Sequence, residues 1–260
     1  MQKKLIAILI CLCITGCAPL NTADTTLSDS VASVDSPIGW GFRPVKGARP
    51  EFTSEQIQTM DKYGCIYMGS EQKPFVYLTF DEGYENGYTA DILDTLKKCN
   101  VTAAFFITAD YLAKNPDLVK RMIDEGHTVG NHTVNHPSMP SKNDEDAREE
   151  IMGLHNQVFE KFGVNMQFFR PPMGEYSERT LSIANSLGYK NVFWSFAYKD
   201  WETDNQRGAD YAFEQVTSKV HNGAVILLHA VSKDNARALE KIIAEIQNKG
   251  FTFKTLSEYI

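Results

Sequence analysis

The stretch Phe75-Val76-Tyr77-Leu78-Thr79-Phe80-Asp81-Glu82-Gly83 runs from an apolar, aromatic segment straight into two adjacent acids. Its first six residues read as a buried strand, and Gly83 ends it. Two carboxylates at the end of such a strand are costly unless they face a cleft, a cation or water. Working outward, the same grammar recurs. Residues 88–98 have helical spacing, with Ile92, Leu93 and Leu96 on one face, and 102–108 reads as a strand. A helix over 116–125 is punctuated by Gly126, a short strand covers 127–130, and a long polar helix over 144–162 is closed by Gly163. Strands at 166–169, 190–196, 224–228 and 251–254 then alternate with helices at 177–187, 210–221 and 235–248. Strict alternation of strand and helix predicts an α/β fold, either an open doubly wound sheet or an irregular barrel. Either form gathers function at the C-terminal ends of the strands.

The chain has 260 residues, 43% hydrophobic and 23% charged, enough to bury a sizeable core and too apolar for wholesale disorder. A net charge of −7 argues against a duplex nucleic-acid partner, which needs a basic face. Five cysteines are too few for a disulfide scaffold. Outside the N-terminus, no apolar run reaches the length of a membrane-spanning helix.

The N-terminus reads as an address. Lys3 and Lys4 precede an apolar run from Leu5 to Ile14, which ends in Ile14-Thr15-Gly16-Cys17. That pattern resembles the bacterial lipoprotein box, in which the Cys is acylated and becomes the first mature residue; an ordinary cleaved signal peptide is the alternative. Removing residues 1–16 takes away two lysines and no acid and leaves a net charge of −9. Residues 18–37, rich in Ser, Thr, Asp and Ala, read as a flexible tether, and 38–260 as one folded domain. Trp40 and Phe42 are expected to pack on that domain. Cys65 and Cys99 remain in it, as a disulfide or as two thiols.

Chemistry-bearing residues follow one strand after another. Asp81 and Glu82 end the first. His132 and His136, four apart, follow another; Pro137 disfavours helix there, so a single turn in a loop is expected to bring both imidazoles to one metal ion. Arg170 precedes Pro171 and Pro172, which stiffen the loop and make the backbone N–H of Met173 the first free donor. A fixed arginine beside a carboxylate holds it ionised. Asp200-Trp201 and Leu228-His229 end two further strands, and a His at a strand mouth is suited to general acid work. His127, His155 and His221 are assigned to packing or surface, and the acidic helix over 144–160 to a solvated face.

In order and spacing these segments resemble the motifs of the polysaccharide deacetylases, the family 4 carbohydrate esterases, from about Lys73 to Tyr259. The resemblance implies a distorted (β/α) barrel. It implies Asp81 as catalytic base, Arg170 as its tether, His229 as general acid and Asp200 as the group that orients His229. It implies a divalent metal, Zn²⁺ first, on His132, His136 and Glu82; the family usually has Asp where this chain has Glu82, and Tyr where it has Met173. Met173, through its N–H, with Trp201 and Leu228 would line the substrate pocket. The run from Thr79 to Tyr88 is similar to the branch that deacetylates muramic acid in the spore cortex, on the way to muramic δ-lactam. The expected substrate is then N-acetylmuramic acid in peptide-free peptidoglycan glycan. N-acetylglucosamine, an O-acetylated glycan and a non-catalytic wall-binding role are the alternatives. The expected protein is a monomer, exported and held on the membrane by the lipid on Cys17, facing the cell wall or the space around a forespore.

Overall fold

The computed structural model describes residues 35–45 and 48–259. The expected signal peptide, Cys17 and most of the expected tether lie outside the described residues. The elements run β1 (Ile38–Gly39), α1 (Ser54–Lys62), β2 (Phe75–Glu82), α2 (Thr89–Cys99), β3 (Ala104–Ile107), α3 (Ala109–Lys114), α4 (Pro116–Asp124), β4 (Thr128–Asn131), α5 (Asp144–Phe162), β5 (Phe168–Phe169), β6 (Glu175–Tyr176), α6 (Glu178–Ser186), β7 (Lys190–Asn191), α7 (Ala209–Thr217), β8 (Ala224–His229), α8 (Lys233–Asn248) and β9 (Thr252–Phe253).

The main sheet is parallel, in the order β7-β5-β4-β3-β2-β8, with β9 pairing the start of β2. It curls into a distorted barrel. The chain leaving β7, one edge, reaches the other: Val192 bridges Ile66, and Phe196 bridges Ile226 of β8. The expected strand over 190–196 is therefore a ladder only at its first two residues, because its later part diverges from β5 toward β8. The segment Ile66–Met68 fills the wedge so opened, with Met68 bridging Ala224. At that seam Gly223 has φ +75, and a Cβ there would lie 2.4 Å from the Gly69 backbone.

The pleat of β2 sorts its side chains by parity. Val76, Leu78 and Phe80 point outward and are fully buried under α2 and α8, with Ile92, Leu93, Leu96, Leu239 and Ile242. Each such side chain stabilises the fold by about 1.5–3 kcal/mol. Tyr77 points inward and joins Ala104, Phe106, Phe168 and Val225 in the barrel interior. The same parity sends Thr79 and Asp81 inward and Glu82 outward.

Helix ends follow local chemistry. Thr53 and Ser177 form capping boxes at α1 and α6, and Asn143 caps α5, which Gly163 ends at φ 70. Helices α1 and α3 are not predicted by the sequence pattern. The first is polar, with Met60 its one buried residue, and the second starts directly after Thr108 at the end of a strand, too short to display a period. Asp35, in the expected tether, accepts from Ser177 Oγ at 2.6 Å and from Arg179 Nε at 2.9 Å. Trp40 packs as anticipated, stacked on Phe52 and against Phe193. Cys65 and Cys99 are both free thiols, and burial pushes Cys65 up to about 12.

Candidate active site

A cavity of about 930 Å³ opens at the C-terminal ends of the strands, and Asp81, His132, His136, Met173, Trp201 and His229 all line it. Residues from five separate strand ends thus meet in one place, as the alternation of strand and helix requires.

Arg170, at the end of β5, is the largest wholly buried side chain of the site. Its guanidinium donates to Asp81 Oδ1 at 2.6 Å and to Thr79 Oγ1 at 2.9 Å, and Nε donates to the carbonyl of Val192 at 3.3 Å. It lies 4.2 Å from the ring centroid of Phe106. A buried cation is tolerated only when paired and hydrogen-bonded in this way. Burial alone would raise the pKa of Asp81, but the Arg170 guanidinium first, with the nearby His132 and His229 rings, outweighs it and holds the carboxyl below its usual range.

His132 leaves the end of β4, which is anchored from below. Asn131 donates to the carbonyl of Ile151 at 2.8 Å and to Tyr189 Oη at 3.1 Å, and its own oxygen accepts from the N–H of Thr133 at 2.9 Å. His132 Nδ1 is 2.8 Å from the carbonyl of Arg170, which fixes that nitrogen as the protonated one and leaves the Nε2 lone pair free. Nε2 lies 3.6 Å from Asp81 Oδ2. The chain then turns in a loop, as Pro137 demands, through two left-handed residues, Thr133 at φ 73 and His136 at φ 55. Thr133 Oγ1 accepts from the N–H of His136 at 2.8 Å, and the turn brings the two imidazole centroids to 4.8 Å. Burial lowers the pKa of both rings, that of His132 to about 4. Both stay neutral, the form that binds metal.

Asp200 grips His229 twice: Oδ1 lies 2.7 Å from Nδ1, and Oδ2 accepts from the backbone N–H at 2.9 Å. Asn235 Nδ2 donates to the same Oδ2 at 2.6 Å, and Asn235 is itself held by Tyr198. Burial would lower the pKa of His229, but the charge and hydrogen bond of Asp200, with Asp81 beyond, carry it upward. The Trp201 ring stands edge-on to His229 with centroids 5.4 Å apart, and it is 48% exposed. Met173 takes φ 58 and is 53% exposed at the cavity wall. Gly174 follows at φ +66, where a Cβ would meet Trp194 at 2.7 Å.

Two expectations are corrected. Glu82 does not join His132 and His136. It points out of the barrel, wholly buried, with neither carboxylate oxygen hydrogen-bonded. Burial first, then the charges of Glu85 and Asp81, raise its pKa well above the usual range. Among the described residues no three His, Cys, Asp or Glu side chains are grouped to hold a metal ion. Leu228 is fully buried in the outer core, and its neighbour Leu227 lines the cavity instead. Both corrections follow from pleat parity, which puts Leu227 on the same face as His229. Sequence reasoning missed Asn131, Tyr189 and Asn235, whose partners are remote in sequence. It also missed Tyr84 and Trp194 on the wall, although Tyr84 follows the acid pair closely.

The polysaccharide deacetylase family model matches residues 68–192. The chain is 40% identical over 226 residues to the peptidoglycan-N-acetylmuramic acid deacetylase PdaA of Bacillus subtilis, covering 86% of each chain. It is 35% identical to a peptidoglycan-N-acetylglucosamine deacetylase of Bacillus cereus, covering 76% of this chain and 72% of that one. The solved structure of Bacillus subtilis PdaA, a family 4 carbohydrate esterase, superposes with a TM-score of 0.83 at 41% identity over 86% of this chain and 96% of the other. With the Asp81–Arg170 and His229–Asp200 pairs facing one cavity on this fold, the chain belongs to the polysaccharide deacetylase family, the family 4 carbohydrate esterases.

Proposed function

We propose that this protein hydrolyses the acetamide of N-acetylmuramic acid in peptide-free peptidoglycan glycan, releasing acetate and a free amino sugar. One observation carries the reading: a carboxylate paired with Arg170 and an imidazole whose protonated form Asp200 favours share one cavity. Environments that push two titratable groups apart mark the base and the acid. Asp81 takes a proton from the attacking water as its oxygen bonds the acetyl carbon. His229 then gives a proton to the nitrogen as the C–N bond breaks, without which the amine would be a poor leaving group. Trp201, Tyr84 and Leu227 supply apolar wall suited to a sugar face and an acetyl methyl.

His132 and His136, neutral and adjacent, fit a divalent ion as ligands, and we take the ion to be Zn²⁺. When bound it would polarise the acetamide carbonyl. Glu82 adds no ligand to that pair. The choice of muramic acid over glucosamine is supported by the 40% identity to PdaA against 35% to the glucosamine enzyme. Export, acylation of Cys17 and service in spore-cortex maturation, toward muramic δ-lactam, complete the proposal and rest on the sequence.

The test is acetate release by residues 35–260 from peptide-free glycan, with mass spectrometry to identify the sugar that lost its acetyl group and Asp81→Asn as control. Loss from muramic acid alone is the expected result. Loss from glucosamine alone would overturn the substrate, and no loss from either would overturn the activity.

A further inference from the structure

The cavity wall is unevenly charged. Asp81, His132, His136 and His229 belong to the chemistry, and Asp110 at the rim is paired with Lys114 at 2.8 Å. Among the described residues that line the cavity, Lys199 alone carries a permanent positive charge. Its backbone is pinned on both sides by the acid half of the site. Tyr198 before it holds Asn235, and Asp200 after it holds His229. Its ammonium pairs with Glu202 Oε1 at 2.5 Å, with 61% of the lysine side chain and 36% of the glutamate exposed. An ion pair that open contributes little, and Glu202 keeps a second partner in Asn205 Nδ2 at 3.0 Å. Turning the lysine to another carboxylate therefore costs little.

N-acetylmuramic acid differs from N-acetylglucosamine by a lactyl ether on the carbon next to the one that bears the acetamide. Without a stem peptide, that lactyl group ends in a free carboxylate. A sugar whose acetamide reaches His229 carries the neighbouring substituent against the wall of the same cavity, which Lys199 helps to line. We propose that Lys199 binds the lactyl carboxylate and is the residue that distinguishes peptide-free muramic acid from glucosamine and from peptide-bearing muramic acid. This rests on the muramic acid reading above. A peptide on the lactyl group turns its carboxylate into an amide and removes the charge that Lys199 reads. Lys199 is then a specificity residue that takes no part in proton transfer.

The test compares kcat/KM on soluble peptide-free glycan fragments with kcat/KM on the same fragments after conversion of the lactyl carboxylates to methylamides. The expected preference of the unaltered enzyme for the free acid is about fivefold, the upper range for a partly exposed ion pair. In Lys199→Gln the two substrates should become equal, through a higher KM for the acid. Lys199→Arg should keep the preference, and Glu202→Gln should increase it by removing the competing carboxylate. A preference in Lys199→Gln equal to that of the unaltered enzyme would overturn the assignment of Lys199 and leave the muramic acid reading standing. No acetate from either substrate with the unaltered enzyme would overturn both.

Discussion

Both oxygens of Asp200 are committed to His229, one to the ring nitrogen at 2.7 Å and one to the backbone N–H at 2.9 Å. The carboxylate therefore sets ring orientation, tautomer and charge together. It raises the pKa of the imidazole, while that of Asp81 is lowered. Activity should need Asp81 ionised and His229 protonated. The rate should fall at acid pH as His136 and His132 and then Asp81 take up protons, and at alkaline pH as His229 loses its proton above 6.5. Asp200→Asn should move the alkaline limb to lower pH and cut kcat by about 10²-fold. An alkaline limb that stays in place, seen in pH profiles of the two proteins, would show that a different group is the acid.

Asn235 stands behind that pair, donating to Asp200 Oδ2 at 2.6 Å. It does not itself line the cavity and acts through Asp200, so it is a positioning residue. In Asn235→Ala, kcat should fall by about tenfold while KM is kept, as expected for a lost hydrogen bond to a charged group. The alkaline limb should also shift, because Asp200 loses a fixed partner. Asn235→Ser, able to donate from a shorter side chain, should recover part of the rate. Steady-state kinetics across pH separates this role from mere loss of fold.

The Arg170–Asp81 pair is buried on both sides. Removing one partner leaves an unpaired charge in a low-dielectric interior, which costs about 3–5 kcal/mol. Arg170→Leu should lose that much in urea unfolding, and Asp81→Asn less, because the amide still accepts from the guanidinium. The linkage has a definite sign. A depressed carboxyl pKa contributes stability that is present above the unfolded value and is lost as pH falls through the folded one. Asp81→Asn should therefore flatten the acid side of the stability profile.

Glu82 works in the opposite direction. Its folded pKa is raised, so its contribution is fully present at acid pH and is lost as pH rises through the folded value. Glu82→Gln keeps the shape without the charge. It should raise Tm at neutral pH, leave Tm unchanged near pH 4 and leave bound metal unchanged. A fall in metal content, measured by elemental analysis, would return Glu82 to the ligand set.

Asp81 and Glu82 also mark how far the sequence could be read. Apolar runs ending in polar residues identified the strands and the face on which function gathers, and the spacing of His132 and His136 identified the paired imidazoles. The side on which each residue of a strand falls was harder. Two adjacent acids look alike as text, but the pleat sends Asp81 to Arg170 and Glu82 to the helix layer. The same alternation exchanges Leu228 for Leu227 at the wall. Asp81 and His229 pair across β2 and β8, and steps of two from them give the inward set, which leaves out Glu82 and Leu228. Asn131, Tyr189 and Asn235 gave no such signal, because their partners are set by the curl of the sheet.

His136 shows function held against local preference. Its φ of 55 lies in the left-handed region, which costs a residue other than glycine about 1–3 kcal/mol. The strain persists because Thr133 Oγ1 holds the His136 N–H, and it brings the imidazole to His132. His136→Gly removes the imidazole and also the reason for the strain. His136→Ala removes the imidazole alone. Both variants should lose bound metal and turnover together. The glycine variant should have the higher Tm of the two, offset in part by the conformational freedom glycine loses on folding. Calorimetry with elemental analysis on the pair decides it. Equal Tm values would show that the strain at residue 136 is no larger than the conformational freedom glycine loses on folding, and retained metal in either variant would remove His136 from the proposed ligands.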